Sequence, residues 1–162
     1  MAEKTFQRIG SDLALTRYVG TTSATPLESA DSWGSLDLRV VAGGDTRRNG
    51  DMIGLGAVEG RENLGQALIL RLLTLQGSLA PLGHPDYGSR LADLIGRENS
   101  QANRNLARLY TIAGVAQERR VRQLLNLAVD PVPGQPDTIR ISFSVLPLGD
   151  DDPLSLTLDV TL

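Results

Sequence analysis

The sequence has no cysteine, which removes disulfide bridges, thiolate metal sites and a cysteine nucleophile. It has one histidine, His84, so any Ser-His-Asp device would have to use that imidazole. His84 sits in a Gly/Pro turn with no nucleophile-elbow pattern nearby, and it reads as an exposed loop residue. Aromatics make up only 4% of the chain, so a core must be built from Leu, Val, Ile and Ala. Lys4 is the one lysine and every other positive charge is arginine. Genomic GC content is the first explanation; a surface of fixed, multidentate contacts is the second. No run approaches the roughly 18 apolar residues of a membrane-spanning helix. The opening MAEKTFQRIGSDLAL lacks the continuous apolar stretch of a secretory signal. The net charge of −3 gives no basic footprint for nucleic acid and no reason to expect a membrane surface as partner.

What is present suffices for one domain, or one domain with an appendage: 162 residues, 41% of them hydrophobic. Residues 61–130 hold nine arginines against six acidic residues; residues 131–162 hold one arginine against five aspartates. That asymmetry fits two different contact surfaces, and it equally fits ordinary surface variation.

Residues 1–34 read as a short strand or arm around Leu13, Leu15, Tyr18 and Val19, followed by a polar loop. In 35–42, Leu36, Leu38 and Val40 alternate with Asp37 and Arg39, the pattern of a half-buried strand. The glycine-rich stretch that follows includes Asn49-Gly50, a hairpin-turn signal, with Met52, Ile53, Leu55 and Val58 as the returning strand. Residues 62–76 form the best helix, with Leu64, Leu68, Leu72 and Leu75 on one face and Gly77 as its C-terminal cap. Ser89 caps a short helix through Leu91, Leu94 and Ile95, ended by Gly96. Asn99 or Ser100 opens a third helix, whose apolar face is Ala102, Leu106, Leu109, Tyr110 and Ala113, with Gly114 ending or weakening it. A strand runs through VRQLLNLAV, with Val121, Leu125, Leu127 and Val129 in phase.

The C-terminus carries the clearest β signal. Ile139, Ile141, Phe143 and Val145 alternate with polar residues, as do Leu154, Leu156, Leu158, Val160 and Leu162. Pro147, Gly149 and three aspartates lie between. This is an antiparallel hairpin with one apolar face. The fold class is therefore α+β: about three helices packed on a mainly antiparallel C-terminal β-sheet, with an N-terminal β-rich extension. The domain reading is an extension over 1–60 and a domain over 61–162.

The order of segments from Asn63 to Val129 resembles the gene-25-like or W-type baseplate wedge family of contractile phage tails and related injection systems. The matching residues are Leu73, Thr74 and Gly77; then Pro85, Tyr87, Gly88 and Leu91; then Glu118, Arg120 and Val121. The likeness covers about 62 to the C-terminus. Two positions depart from the family pattern: Ser78 replaces a frequent glutamate, and Arg119 replaces a proline, which removes a fixed φ.

The resemblance implies a structural baseplate subunit, assembled in the host cytoplasm. It implies docking on larger wedge proteins through Glu118 and Arg120, and a C-terminal sheet that starts sheath assembly. The N-terminal extension would grip a neighbour, with hub or tube proteins as candidates. Thr74, Gly77, Pro85, Tyr87 and Gly88 would shape the fold. Without the family, Glu118 and Arg120 read as a solvated charge pair worth little. An uncovered border on the C-terminal ribbon would invite another chain's strand, unless residues 35–60 cover it.

The glycines of 43–60 lack the Gly-Lys-Ser/Thr of a phosphate loop and the strand–turn–helix setting of a dinucleotide site. Residues 150–152 lack a calcium-loop pattern, so no metal or cofactor is expected. A peptidoglycan glycosidase, the lysozyme-like alternative, needs two carboxylates across a cleft. Glu59, Glu62, Asp86, Asp93 and Glu118 supply candidates without fixing a pair, and aromatic sugar platforms are scarce.

Overall fold

The computed structural model describes residues 10–13, 15, 40–42 and 53–162, with side chains at 40–42, 53 and 54 left aside. The predicted turn at Asn49-Gly50, Tyr18, Val19 and the strand start at 35–39 lie outside the described residues. The elements are β1 (Ser11–Leu13), β2 (Val40–Ala42), β3 (Ile53–Leu55), β4 (Ala57–Glu59), α1 (Gly60–Leu73), α2 (Gln101–Ala116), β5 (Val121–Val132), β6 (Gln135–Pro147) and β7 (Leu154–Thr161). β2 pairs antiparallel with β3, as the alternation implies, whereas Val58 lies in β4, which pairs antiparallel with β1 and not with the strand of 40–42. No helix among the described residues is long and apolar enough to cross a membrane.

The α+β class holds, with two α-helices among the described residues where about three were expected. The missing one is Leu91–Leu94, a single 3-10 turn. Gly96, at φ 82, follows closely, so the segment has too few residues to propagate an α-helix. Helix α1 ends earlier than predicted. Thr74 turns to ψ 129, and both its backbone N–H and its hydroxyl donate to the Leu70 carbonyl, at 2.9 and 2.7 Å. Leu64, Leu68 and Leu72 are buried as predicted, whereas Leu75 lies beyond the helix and is exposed. Gly77 serves the following loop instead of the cap: its N–H donates to the Tyr87 carbonyl.

In α2 the predicted apolar face is corrected. Ser100 caps the helix, accepting from the Asn103 N–H at 3.2 Å. The side facing the core, however, is Ala107, Thr111, Gly114 and Val115. Ala102, Leu109 and Ala113 point outward, while Leu106 and Tyr110 sit at the margin of the core. The helix runs on to Ala116 and does not end at Gly114. A Cβ there would lie 2.9 Å from a Leu72 methyl, so the glycine lets α2 press against α1.

The C-terminal sheet is antiparallel with order β5-β6-β7. On one face Ile139, Ile141, Phe143 and Val145 of β6 sit opposite Val160, Leu158, Leu156 and Leu154 of β7. These side chains join Leu64, Leu68, Leu72, Leu91 and Leu94 in the core. Each buried leucine contributes about 2 kcal/mol of transfer free energy. The other face is polar: Ser144 pairs with Ser155 at 2.9 Å, and Arg140 grips Asp159 with two bonds at 2.7 and 2.6 Å.

In β5 the predicted phase fails at one residue. Register shifts between Val121 and Gln123 and between Leu124 and Asn126 make Arg122 and Leu125 the extra residues of two bulges. Leu124 therefore packs on the core, and Leu125 is 39% exposed.

Candidate interaction sites

Three arrangements position the residues singled out in the sequence. The first lies where α2 hands over to β5. Glu118 follows the end of the helix, its N–H donating to the Val115 carbonyl at 3.0 Å, and its own carbonyl receives the Val121 N–H at 3.0 Å. The turn folds Arg120 back onto the same carboxylate. Arg120 Nε donates to Glu118 Oε1 at 2.8 Å, its backbone N–H donates to Oε1 at 3.2 Å, and an outer nitrogen donates to Oε2 at 3.2 Å.

A third residue joins that sequence reading missed. Arg71, from the last turn of α1, donates to Glu118 Oε2 at 3.4 Å and to Gln117 Oε1 at 3.3 Å. Its guanidinium carbon lies 4.5 Å from the centre of the Tyr87 ring. Two guanidinium groups thus share one carboxylate that is 8% exposed. Burial works to raise the Glu118 pKa, but the donors of Arg120 and the nearby Arg71 outweigh it and hold the carboxyl below its usual range. Burial raises the Tyr87 hydroxyl above its ordinary range, against the pull of Arg71. Arg71 Nε is buried without a hydrogen-bond partner among the described residues, so the network is tight but incompletely satisfied.

The second arrangement explains Thr74, Gly77, Pro85, Tyr87 and Gly88. The chain leaves α1, makes a loop and crosses its own path: Ser89 N–H donates to the Thr74 carbonyl at 2.8 Å, and Gln76 N–H to the Ser89 carbonyl at 3.0 Å. Gly88 lies in the crossing at φ 110. A Cβ there would stand 2.6 Å from the Thr74 oxygen and 2.9 Å from the Gln76 nitrogen, so only glycine fits. Gly77 has φ 83, and a Cβ on it would approach the Pro85 carbonyl at 3.7 Å. The crossing carries Tyr87 under Arg71 and so joins this loop to the ion network. His84 is exposed in the same loop.

The third arrangement is the border of β7. Leu162 N–H donates to the Asp137 carbonyl at 2.7 Å. Antiparallel alternation then makes Val160, Leu158, Leu156 and Leu154 the residues bonded to β6. The N–H and C=O groups of Ser155, Thr157, Asp159 and Thr161 point away from the sheet. No strand among the described residues pairs with them. The acidic loop before β7 is anchored by Arg61 of α1, which binds the Asp150 carboxylate and donates to the carbonyls of Asp152 and Pro153 at 2.7 Å. Burial opposes ionisation of Asp150, but the Asp152 N–H and Arg61 prevail and lower its pKa.

Arg61 and Arg71 were missed because each pairs with an acid more than forty residues away in sequence, a distance that no local pattern spans. Among the described residues no three His, Asp or Glu side chains gather as metal ligands would.

No family model and no curated protein matches the chain. Among solved structures, the fold is similar to that of a Geobacter sulfurreducens protein that carries the name tail lysozyme. The TM-score is 0.53 at 18% identity, and the match covers 62% of this chain and 89% of that one. At that identity the likeness is one of fold.

Proposed function

We propose that this chain is a structural subunit of a contractile-tail baseplate, a wedge component that docks on larger wedge proteins and starts the sheath by strand addition to β7. The observation that carries the reading is the regular border of β7, whose outward amides include those of Ser155, Thr157 and Thr161. Main-chain bonding gives such an edge affinity for an extended segment of another chain. The fold likeness to a protein named tail lysozyme supports a tail setting, shared by the lysozyme-like alternative, and the motif residues around Gly88 and Glu118 favour the structural reading. The N-terminal residues, treated as a separate extension, would grip a neighbouring subunit.

In this reading Glu118 is an internal anchor and Arg120 the docking group. Glu118 spends its carboxylate on Arg120 and Arg71, whereas Arg120 keeps 27% of its side chain exposed. The protein acts without catalysis. A glycosidase acid needs a raised pKa, and Glu118 is shifted the other way. Asp93 is held by Arg90 at 2.9 Å.

The test is amide exchange of the chain alone and mixed with a contractile-tail sheath subunit. The outward amides of β7 exchange fast in the isolated chain and become protected in the mixture. Protection already present in the isolated chain, or none gained on mixing, overturns the reading. Cell-wall clearing abolished by Glu62→Gln would establish the hydrolase instead.

A further inference from the structure

We propose that the outward side of α2 is a docking face for an amphipathic helix of another polypeptide, one whose apolar stripe is bordered by aspartate and glutamate. Ala102, Asn105, Leu109, Ile112, Ala113 and Ala116 are all exposed, and they recur at the spacing of one helical face. Leu109 is 59% exposed and Ile112 42%. No charge interrupts them. A surface helix ordinarily turns its apolar stripe inward and its charges outward. Here the core side holds Ala107, Thr111, Gly114 and Val115, and the stripe with the larger apolar side chains looks away.

The short side chains of Ala102, Ala113 and Ala116 leave room for a second helix at a close interaxial distance of about 8–10 Å. Charge selects the occupant. Helix α2 contains no acidic residue. Arg108 borders the stripe on one flank. On the other flank Arg90 lies over Tyr110, its guanidinium carbon 4.9 Å from the ring centre. Arg90 shares its charge with Asp93 and still has 58% of its side chain exposed. A second copy of this chain would set arginine against arginine along both flanks, whereas a helix with carboxylates at those positions is attracted on both sides. An anionic membrane meets the same charges, but two large apolar side chains without an aromatic give it little to insert. This face is separate from the β7 border and does not depend on strand addition there.

The test uses the full chain and two synthetic helical peptides about four turns long. Both carry Leu at heptad a and d positions; one has Glu at e and g, the other Lys. Chemical-shift mapping follows the titrations. The Glu peptide shifts the amides of Leu109, Ile112 and Ala113 and binds at least about tenfold tighter than the Lys peptide. Leu109→Glu, at an exposed site, weakens it by about tenfold or more with an unchanged melting curve. Ile112→Glu serves if that variant fails to fold. Equal binding of both peptides, no binding, or shifts elsewhere overturns the proposal. So does a dimer in sedimentation that Leu109→Glu dissolves, or binding to anionic phosphatidylserine vesicles that the same change removes.

Discussion

The two borders of the C-terminal sheet are built from one ladder and treated in opposite ways. β5 is irregular: two bulges displace Arg122 and Leu125, and Pro131 interrupts the ladder near its end. It is also covered, since α2 packs beside it and Arg108 donates to the outward Leu127 carbonyl at 2.7 Å. Bulges, a proline and a helical cover are the means by which proteins prevent edge pairing. Among the described residues β7 has none of them between Leu154 and Thr161; its ladder with β6 runs without a register shift. One border is irregular and the other straight, which teaches that the two borders of a single sheet are shaped independently.

Four measurements break or sharpen that contrast. The largest effect belongs to Leu158→Pro. It removes an inward N–H from the central ladder and a buried side chain, and it costs about 3 kcal/mol or more in denaturant unfolding. Thr157→Pro, one residue away with an outward N–H, costs far less, about 1 kcal/mol. Equal losses from the two would show that the outward set is wrongly assigned. Next comes Glu118→Ala, which strips the carboxylate from between Arg71 and Arg120 and loosens the start of β5. The loss is about 2–3 kcal/mol, less than for a fully buried pair because Arg120 is partly solvated.

The pH dependence follows from the same residue. The folded pKa of Glu118 lies below the unfolded one, so its contribution is whole above the ordinary glutamate value of about 4.3 and fades as the pH falls below that. Denaturant midpoints from about pH 6 to about pH 3 should drop less steeply in Glu118→Gln than in the parent chain. A parallel drop in both removes the role given to this carboxylate. Asp150, lowered likewise beside β7, contributes in the same direction. The smallest effect is that of Arg108→Ala. Uncovering the Leu127 carbonyl costs about 1 kcal/mol and makes β5 the second sticky border, read as concentration-dependent sedimentation. No change in association would mean that the bulges alone defend β5.

Much of this was legible from residues. The period-two runs at 139–145 and 154–162 place the core-facing side chains of β6 and β7 except Pro147, read as loop but buried at the end of β6, because hydrophobic alternation on a half-buried sheet leaves no other register. α1 was legible through Leu64, Leu68 and Leu72. The phase of α2 was not, since the side that packs inward is small or polar: Ala107, Thr111 and Gly114 enter the core because α1 lies close, which only the assembled fold reveals. Leu124 and Leu125 are indistinguishable in sequence, and a bulge decided between them. Glu118 and Arg120 were found through a family likeness, but the bond to Arg71 depends on where α1 packs against the end of α2.

The backbone crossing at Gly88 has a practical consequence. Because Leu75 and Ser89 are bridged at the base of the loop, everything between them departs from and returns to one fixed point. At its far end Leu82 is 73% exposed, and a Cβ on Gly83 would meet nothing within 4 Å. A reporter spliced between Gly83 and His84 would hang from a closed stem, costing the bond from the His84 N–H to the Leu79 carbonyl and its own loop entropy. It would mark the subunit for imaging inside a larger particle while leaving the β7 border and the outer side of α2 unobstructed.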